Sequence, residues 1–235
     1  MGGRDWRAWH DAYDDPGSSL AQRLAVVQAR IAAVLDAAPP GPLRAVSMCA
    51  GQGRDLIPVL ASHPRGRDVT ARLVELDSGL AATARRAAAD AGLPGVEVVT
   101  GDASLTDAYA GLVPAGLVLA CGVFGNITES GIRRTVACCA QLCATGGTTL
   151  WTRGRTAPDL VPQICGWFSE DGFELSWLSD PGVKYGVGAH RFTAQPRPLV
   201  AGLRMFRFVE TEDARRVSRP WPGSGSSPDG TRGWA

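Results

Sequence analysis

An apolar run, Ala45 to Met48, stops at small residues and glycines, and an apolar-periodic segment begins at once with Leu56, Ile57, Val59 and Leu60. That succession reads as a buried strand turning sharply into a helix. Gly51 and Gly53 permit positive φ and carry no Cβ that would hold a ligand off the backbone. The helix that follows presents unpaired N–H groups and the positive end of its dipole to whatever occupies the turn. The chain is thereby committed to a small-ligand cradle at the carboxyl end of its first strand.

A regular alternation follows. Helix 55–62 precedes a second strand, Val69 to Leu76, and Asp77-Ser78 open a helix that runs to Ala91 and stops at Gly92-Leu93-Pro94-Gly95. Val96 to Thr100 is a third strand, with a short helix near 105–112. Leu117 to Cys121 is a fourth, continuously apolar and therefore central. Helix 129–144 leads to a fifth strand, Thr148 to Thr152. Repeated strand–helix units of this length specify an α/β fold, a mainly parallel sheet with helices on both faces. Upstream, Leu20, Leu24, Val27, Ile31, Val34 and Leu35 recur at helical spacing and predict a helix from Ser19 to Ala37 with a Ser N-cap, ended by Pro39-Pro40-Gly41-Pro42. Downstream the pattern predicts helix Pro158 to Asp171, strands Phe173 to Leu178 and Val187 to Thr193, and a final strand Leu203 to Val209. Residues 1–42 are expected to form a helical lid or cap, 43–211 the main domain, and 212–235, rich in Arg, Ser, Gly and Pro, a disordered tail.

Charge narrows the partners. Twenty-four basic side chains stand against 23 acidic ones, so no strongly basic face is implied and a nucleic-acid partner is not indicated. No apolar run approaches the roughly 18–20 residues of a membrane span, and the N-terminus lacks a signal h-region, so a cytoplasmic protein is expected. The six cysteines show no Cys-x-x-Cys pair and fall mostly in apolar segments, as reduced buried thiols do. His10, His63 and His190 are far apart, and no metal site is expected.

Dinucleotides and S-adenosylmethionine both use such a cradle. The dinucleotide fingerprint G-x-G-x-x-G fails here, because Gly51-x-Gly53 is followed by Arg54, Asp55 and Leu56, and no phosphate-binding G-x-x-x-x-G-K-[ST] is present. The stretch resembles motif I of the class I, Rossmann-like S-adenosylmethionine-dependent methyltransferases, acidic-x-G-x-G-x-G, with Ser47 where the family often has an acid and Cys49 where it has the first glycine. Glu75 and Asp77 end the second strand about 20 residues past the turn, where a carboxylate accepts from both ribose hydroxyls. Glu75 is the ribose candidate, and Asp77 reads as the cap of the next helix. Thr100-Gly101-Asp102-Ala103 resembles the family element whose Asp faces the adenine amino group, and Cys121 to Asn126 occupies the motif IV position against the methionine half. The resemblance covers 43–152 well and extends more loosely to 209. It implies a doubly wound, mainly parallel seven-stranded sheet with an antiparallel last strand, S-adenosylmethionine as cofactor and S-adenosylhomocysteine as product. The contacts it implies are Cys49, Ala50, Gly51 and Gly53, then Glu75 and Leu76, then Gly101, Asp102 and Ala103, then Cys121, Gly122 and Val123.

On the acceptor the resemblance is nearly silent. Cys121-Gly122-Val123-Phe124 replaces the Asn-Pro-Pro-Tyr type of amino-methylating nucleic-acid enzymes, and Cys121 lacks the context of a nucleophilic cysteine. Methyl transfer needs positioning in a dry pocket and sometimes removal of a proton. For the base, His10 and Tyr13 in the aromatic N-terminal segment are candidates, with Trp9 beside them covering the acceptor; plain burial of these aromatics is the alternative. His190 is the second candidate base, and Arg191 a partner for a substrate carboxylate, against the alternative of outward polar residues on a strand. Phe124, Asn126, Trp151 and Arg153 are expected at the ligand edge. The expected activity is metal-independent O- or N-methylation of a small molecule by a monomer or homodimer. The alternatives are an RNA or protein methyltransferase, or a member of the fold that does not methylate.

Overall fold

A computed structural model describes Tyr13, Asp15 and residues 17–209; Trp9, His10 and the segment from 212 onward lie outside the described residues. Helix α1, Ser19–Ala37, starts where its spacing predicts, with the Ser18 hydroxyl accepting from Ala21 N at 3.0 Å. Strand β1 is Leu43–Met48, followed by α2, Ile57–Ser62. Then come β2, Val69–Glu75, α3, Ser78–Asp90, and β3, Val96–Thr100. A single 3-10 turn, Thr106–Tyr109, stands where a short helix was expected, ahead of β4, Ala115–Ala120. Helix α4, Glu129–Leu142, leads directly into β5, Cys143–Gly154, and the last units are α5, Val161–Glu170, β6, Phe173–Leu178, and β7, Tyr185–Phe192.

The seven strands form one sheet in the order β3-β2-β1-β4-β5-β7-β6. All pairings among β1 to β5 are parallel, and β7 lies antiparallel between β5 and β6. The order reverses beside β1, which places a crevice at the carboxyl ends of β1 and β4. Because successive residues of a strand point to opposite faces, β1 feeds two cores. Leu43 and Ala45 join one with Val27, Ile31 and Leu35 of α1 and Ala81, Ala84 and Ala88 of α3; Val46 and Met48 join the other, with Ile132 and Val136 of α4 and Phe168 of α5.

The expected strand Leu203 to Val209 is not a strand of the sheet. The segment runs as a strap along the carboxyl edge and pairs with loops through the isolated bridges Leu105↔Arg204 and Ile127↔Phe208. Thr106 N donates to Leu203 O at 3.0 Å, Met205 N to Ser104 O at 2.8 Å and Val209 N to Asn126 O at 2.9 Å. Buried Met205 and Phe206 supply the apolar character that suggested a strand. Their partners are loops, not a neighbouring strand.

Candidate functional site

The turn after β1 reverses the chain through three residues of positive φ, Cys49 at 50°, Gly51 at 55° and Gly53 at 71°. Among the described residues Cys49 is the one non-glycine in this region, so the backbone holds the glycine conformation although the side chain is a thiol. A Cβ on Gly53 would come within 2.5 Å of Ile57 Cδ1 and 3.0 Å of Leu73 Cδ2, so this glycine lets the start of α2 close onto β2.

Glu75, at the end of β2, ties the turn to the next loop. Its Oε2 accepts from Gly51 N at 2.8 Å and its Oε1 from Asp77 N at 2.9 Å. One oxygen thus braces the cradle and the other the loop, leaving each a further lone pair for a ligand hydroxyl. Asp77 caps α3, its Oδ1 accepting from Gly79 N and Leu80 N at 2.8 and 2.9 Å. These groups wall a cleft of about 620 Å³ at the carboxyl edge.

Of the residues implied as cofactor contacts, Cys49, Ala50, Gly51, Glu75, Leu76, Asp102, Ala103, Cys121 and Gly122 line this one cleft. Leu76 is 70% exposed there, an apolar surface open to a flat ligand. Gly53 stands behind the turn, Gly101 N is spent on Glu75 O at 2.9 Å, and Val123 is fully buried. Asp102 accepts from Ser104 N at 2.9 Å and from Arg204 at 2.7 Å. Burial alone would raise its pKa, but the hydrogen bonds from Ser104 and Arg204 outweigh burial and hold the carboxyl below its usual value. Gly122 N donates to the Thr152 hydroxyl at 2.8 Å, which pins the loop after β4 to β5.

The catalytic and acceptor candidates divide differently. Tyr13 lines the cleft, hydrogen-bonded to Arg23, and burial raises its phenol pKa despite that cation. His190 does not line it. It is 1% exposed in β7, stacked on Phe168 at 4.4 Å, with Nδ1 accepting from Trp151 Nε1 at 3.1 Å. Burial lowers its pKa to about 4, so it is a neutral member of an aromatic nest and not the candidate base. Arg191 lies one residue further along a strand that runs against β5, opposite Thr148 and hence at the amino edge, where no acceptor in the cleft can meet it. Trp151 is also internal: β5 continues past it to Gly154, and its ring packs between Phe124, Phe168 and His190. Gly188 opposite makes room, since a Cβ there would come within 2.4 Å of the Trp151 ring. Phe124 is fully buried, Asn126 Nδ2 donates to Gly122 O at 2.7 Å, and Arg153 donates to Phe124 O. These three brace the loop after β4 from outside the cleft.

Sequence reasoning passed over Arg23 and Leu24 of α1, Asp55 in the turn before α2, and Arg204, Phe206 and Phe208 of the strap, all of which line the cleft. Asp55 was findable, for it stands in the glycine turn itself, a lone acid before an apolar run. Its Oδ1 is buried with no hydrogen-bond partner. Burial pushes its pKa up to about 6, with backbone N–H groups of Leu56 and Asp55 opposing. Burial also raises the thiols of Cys49 and Cys121, next helped by Glu75 and Asp55 respectively, so both stay protonated and Cys121 is no nucleophile at neutral pH. No group of three or more His, Cys, Asp or Glu that would hold a metal ion occurs among the described residues.

No protein-family model and no curated protein matches the sequence. Solved structures do match. An O-methyltransferase family protein from Burkholderia thailandensis superimposes with a TM-score of 0.62 at 19% identity, over 81% of this chain and 61% of that one; this chain thus spans about three fifths of its length. Magnesium protoporphyrin IX methyltransferase from Synechocystis PCC 6803, with bound S-adenosylhomocysteine, gives 0.55 at 15% identity over 79% and 93%. A TehB-like S-adenosylmethionine-dependent methyltransferase from Corynebacterium glutamicum gives 0.53 at 18% over 74% and 96%. The chain has the class I, Rossmann-like methyltransferase fold. No helix among the described residues is long and apolar enough to cross a membrane.

Proposed function

We propose that the protein is an S-adenosylmethionine-dependent methyltransferase acting on oxygen or nitrogen of a small-molecule acceptor. The observation that carries the cofactor is Glu75: a carboxylate at the end of β2, clasped by Gly51 N and Asp77 N, with lone pairs left for two ribose hydroxyls. Cys49 at positive φ removes the objection that the motif lacks its first glycine. Leu76, Ala103 and Phe206 would flank the adenine, with Asp102 at its edge, and Cys121 and Gly122 would hold the methionine half. When bound, the cofactor supplies a methyl group already activated on a sulfonium. The protein is left to orient the acceptor and exclude water, which the strap and Tyr13 at the cleft wall serve. A charge balance of 24 basic to 23 acidic side chains favours a small acceptor over a nucleic acid. The six free cysteines favour a reducing, cytoplasmic setting.

Calorimetric titration with S-adenosylmethionine and S-adenosylhomocysteine tests this. Micromolar binding, about −8 kcal/mol, is expected for both. Glu75→Ala should weaken it by about 100-fold, since removing the acceptor strands two cleft N–H groups as well. Silence of the wild-type protein towards both ligands, or undiminished affinity in a folded Glu75→Ala variant, would overturn the reading.

A further inference from the structure

The amino edge of the sheet, opposite the cleft, carries a second concavity of about 1090 Å³. Leu43 lines it and Cys49 lines the cleft, so the six residues of β1 hold the two about 20 Å apart. Three arginines reach it from three elements, Arg30 of α1, Arg44 of β1 and Arg191 of β7, and no Asp or Glu stands among its described lining residues. Trp177 of β6 pairs with Ala189, and Arg191 follows two residues on, so the indole and this side chain share a face of the sheet. The Arg30 guanidinium stacks on that indole, 4.7 Å from the ring centroid. Arg191 extends over the start of β5, where a Cβ on Gly146 would stand 3.7 Å from its Nη2. None of the three arginines forms an ion pair among the described residues. Glu174 stands opposite Arg191 in the β6–β7 register, yet it makes no ion pair with it and does not line the cavity.

A hollow lined by one sign of charge and walled by apolar groups, here Val34, Leu43 and Trp177, focuses the field and draws counter-ions from solution. Guanidiniums grip carboxylate and phosphate through paired N–H bonds. A monoanion would answer one of the three cations, whereas a polyanion answers them together. The apolar walls call for a body between the anionic groups, and the volume suits a ligand of nucleotide size. A nucleic acid or a membrane needs a wider basic face: three cations neutralise about three charges, and the chain as a whole balances 24 basic against 23 acidic side chains. We infer that this cavity is a binding site for a small organic polyanion, two or more phosphate or carboxylate groups on an apolar body. The site is separate from the cleft and does not depend on the function proposed for it.

The full chain is titrated calorimetrically with ATP, with trimesate (an aromatic tricarboxylate), with inorganic pyrophosphate and with inorganic phosphate. Saturable binding of ATP or trimesate is expected, with a Kd below about 1 mM, tighter than pyrophosphate and at least tenfold tighter than inorganic phosphate. A response to ATP alone marks phosphate as the recognised group, and a response to trimesate alone marks carboxylate. Arg30→Gln and Arg191→Gln each weaken that binding about tenfold or more. Arg191→Lys recovers only part of it, because an ammonium keeps the charge but not the planar fork. Silence of the wild-type protein towards all four probes overturns the site. So does binding that Arg30→Gln and Arg191→Gln, shown to be folded by thermal melting, retain in full. A short RNA oligonucleotide or an anionic vesicle that binds more tightly than either organic probe, and is lost in the same variants, overturns the small ligand in favour of a macromolecular polyanion.

Discussion

Asp55 and His190 share a defect, and their surroundings give it opposite meanings. Each buries a polar atom without a hydrogen-bond partner, Oδ1 in one and Nε2 in the other. Each has a pKa moved towards the neutral form by burial, to about 6 for the acid and about 4 for the imidazole. Asp55 borders a cleft of about 620 Å³ that Arg23 also lines. His190 lies among Phe168, Trp151 and the sheet, its other nitrogen already bonded. An orphaned polar atom therefore points to a ligand only where there is room for one; inside a packed aromatic nest it is a cost that the packing outweighs.

The strongest way to break that contrast is Trp151→Ala. Emptying the centre of the nest should destabilise the protein by about 3–5 kcal/mol, read from urea unfolding. Loss of ligand affinity in that variant with unchanged stability would mean that the nest belongs to the site. The next effect is in pH. Asp55 holds its proton more tightly when folded, so it lowers the stability of the ligand-free protein as pH rises from about 4 through 6. His190 holds its proton less tightly when folded, so its contribution is full above about 6.5 and is lost as pH falls towards 4. The two slopes oppose. Relative to wild type, Asp55→Asn should gain stability with rising pH across this window and His190→Gln should lose it, each by at most about 3 kcal/mol. His190→Gln should leave S-adenosylhomocysteine affinity intact; a matching affinity loss in both variants would erase the distinction. Smallest is Cys49→Gly, which relieves a positive φ and should raise stability by less than about 1 kcal/mol without weakening the ligand. A clear loss there would show that the thiol itself makes a contact.

Most of the scaffold was legible because its signals are local. Helical spacing and Ser18 placed α1, alternation placed β3 and β6, and the glycine turn located the cradle. His190 and Arg191 were expected in an acceptor pocket built between the last strands; because β7 runs antiparallel to β5, Tyr185 is the residue opposite Gly154 at the ligand edge and Arg191 lies at the other. The segment 203–209 misled because apolar residues buried against loops, here Met205 and Phe206, carry the same composition as a strand buried in a sheet. Arg23 and Asp55 line one cleft only after the 31 intervening residues have folded α1 over the end of β1, and no local pattern reports such a meeting.

The strap has a consequence for the order in which the molecule is made. Arg204 reaches Asp102 across 102 residues, and Thr106 bonds Leu203 across 97. During synthesis the cradle and all seven strands emerge before that wall exists. A ligand captured by the cradle alone would meet an open ledge, and the enclosed cleft comes into being only with the last residues of the domain.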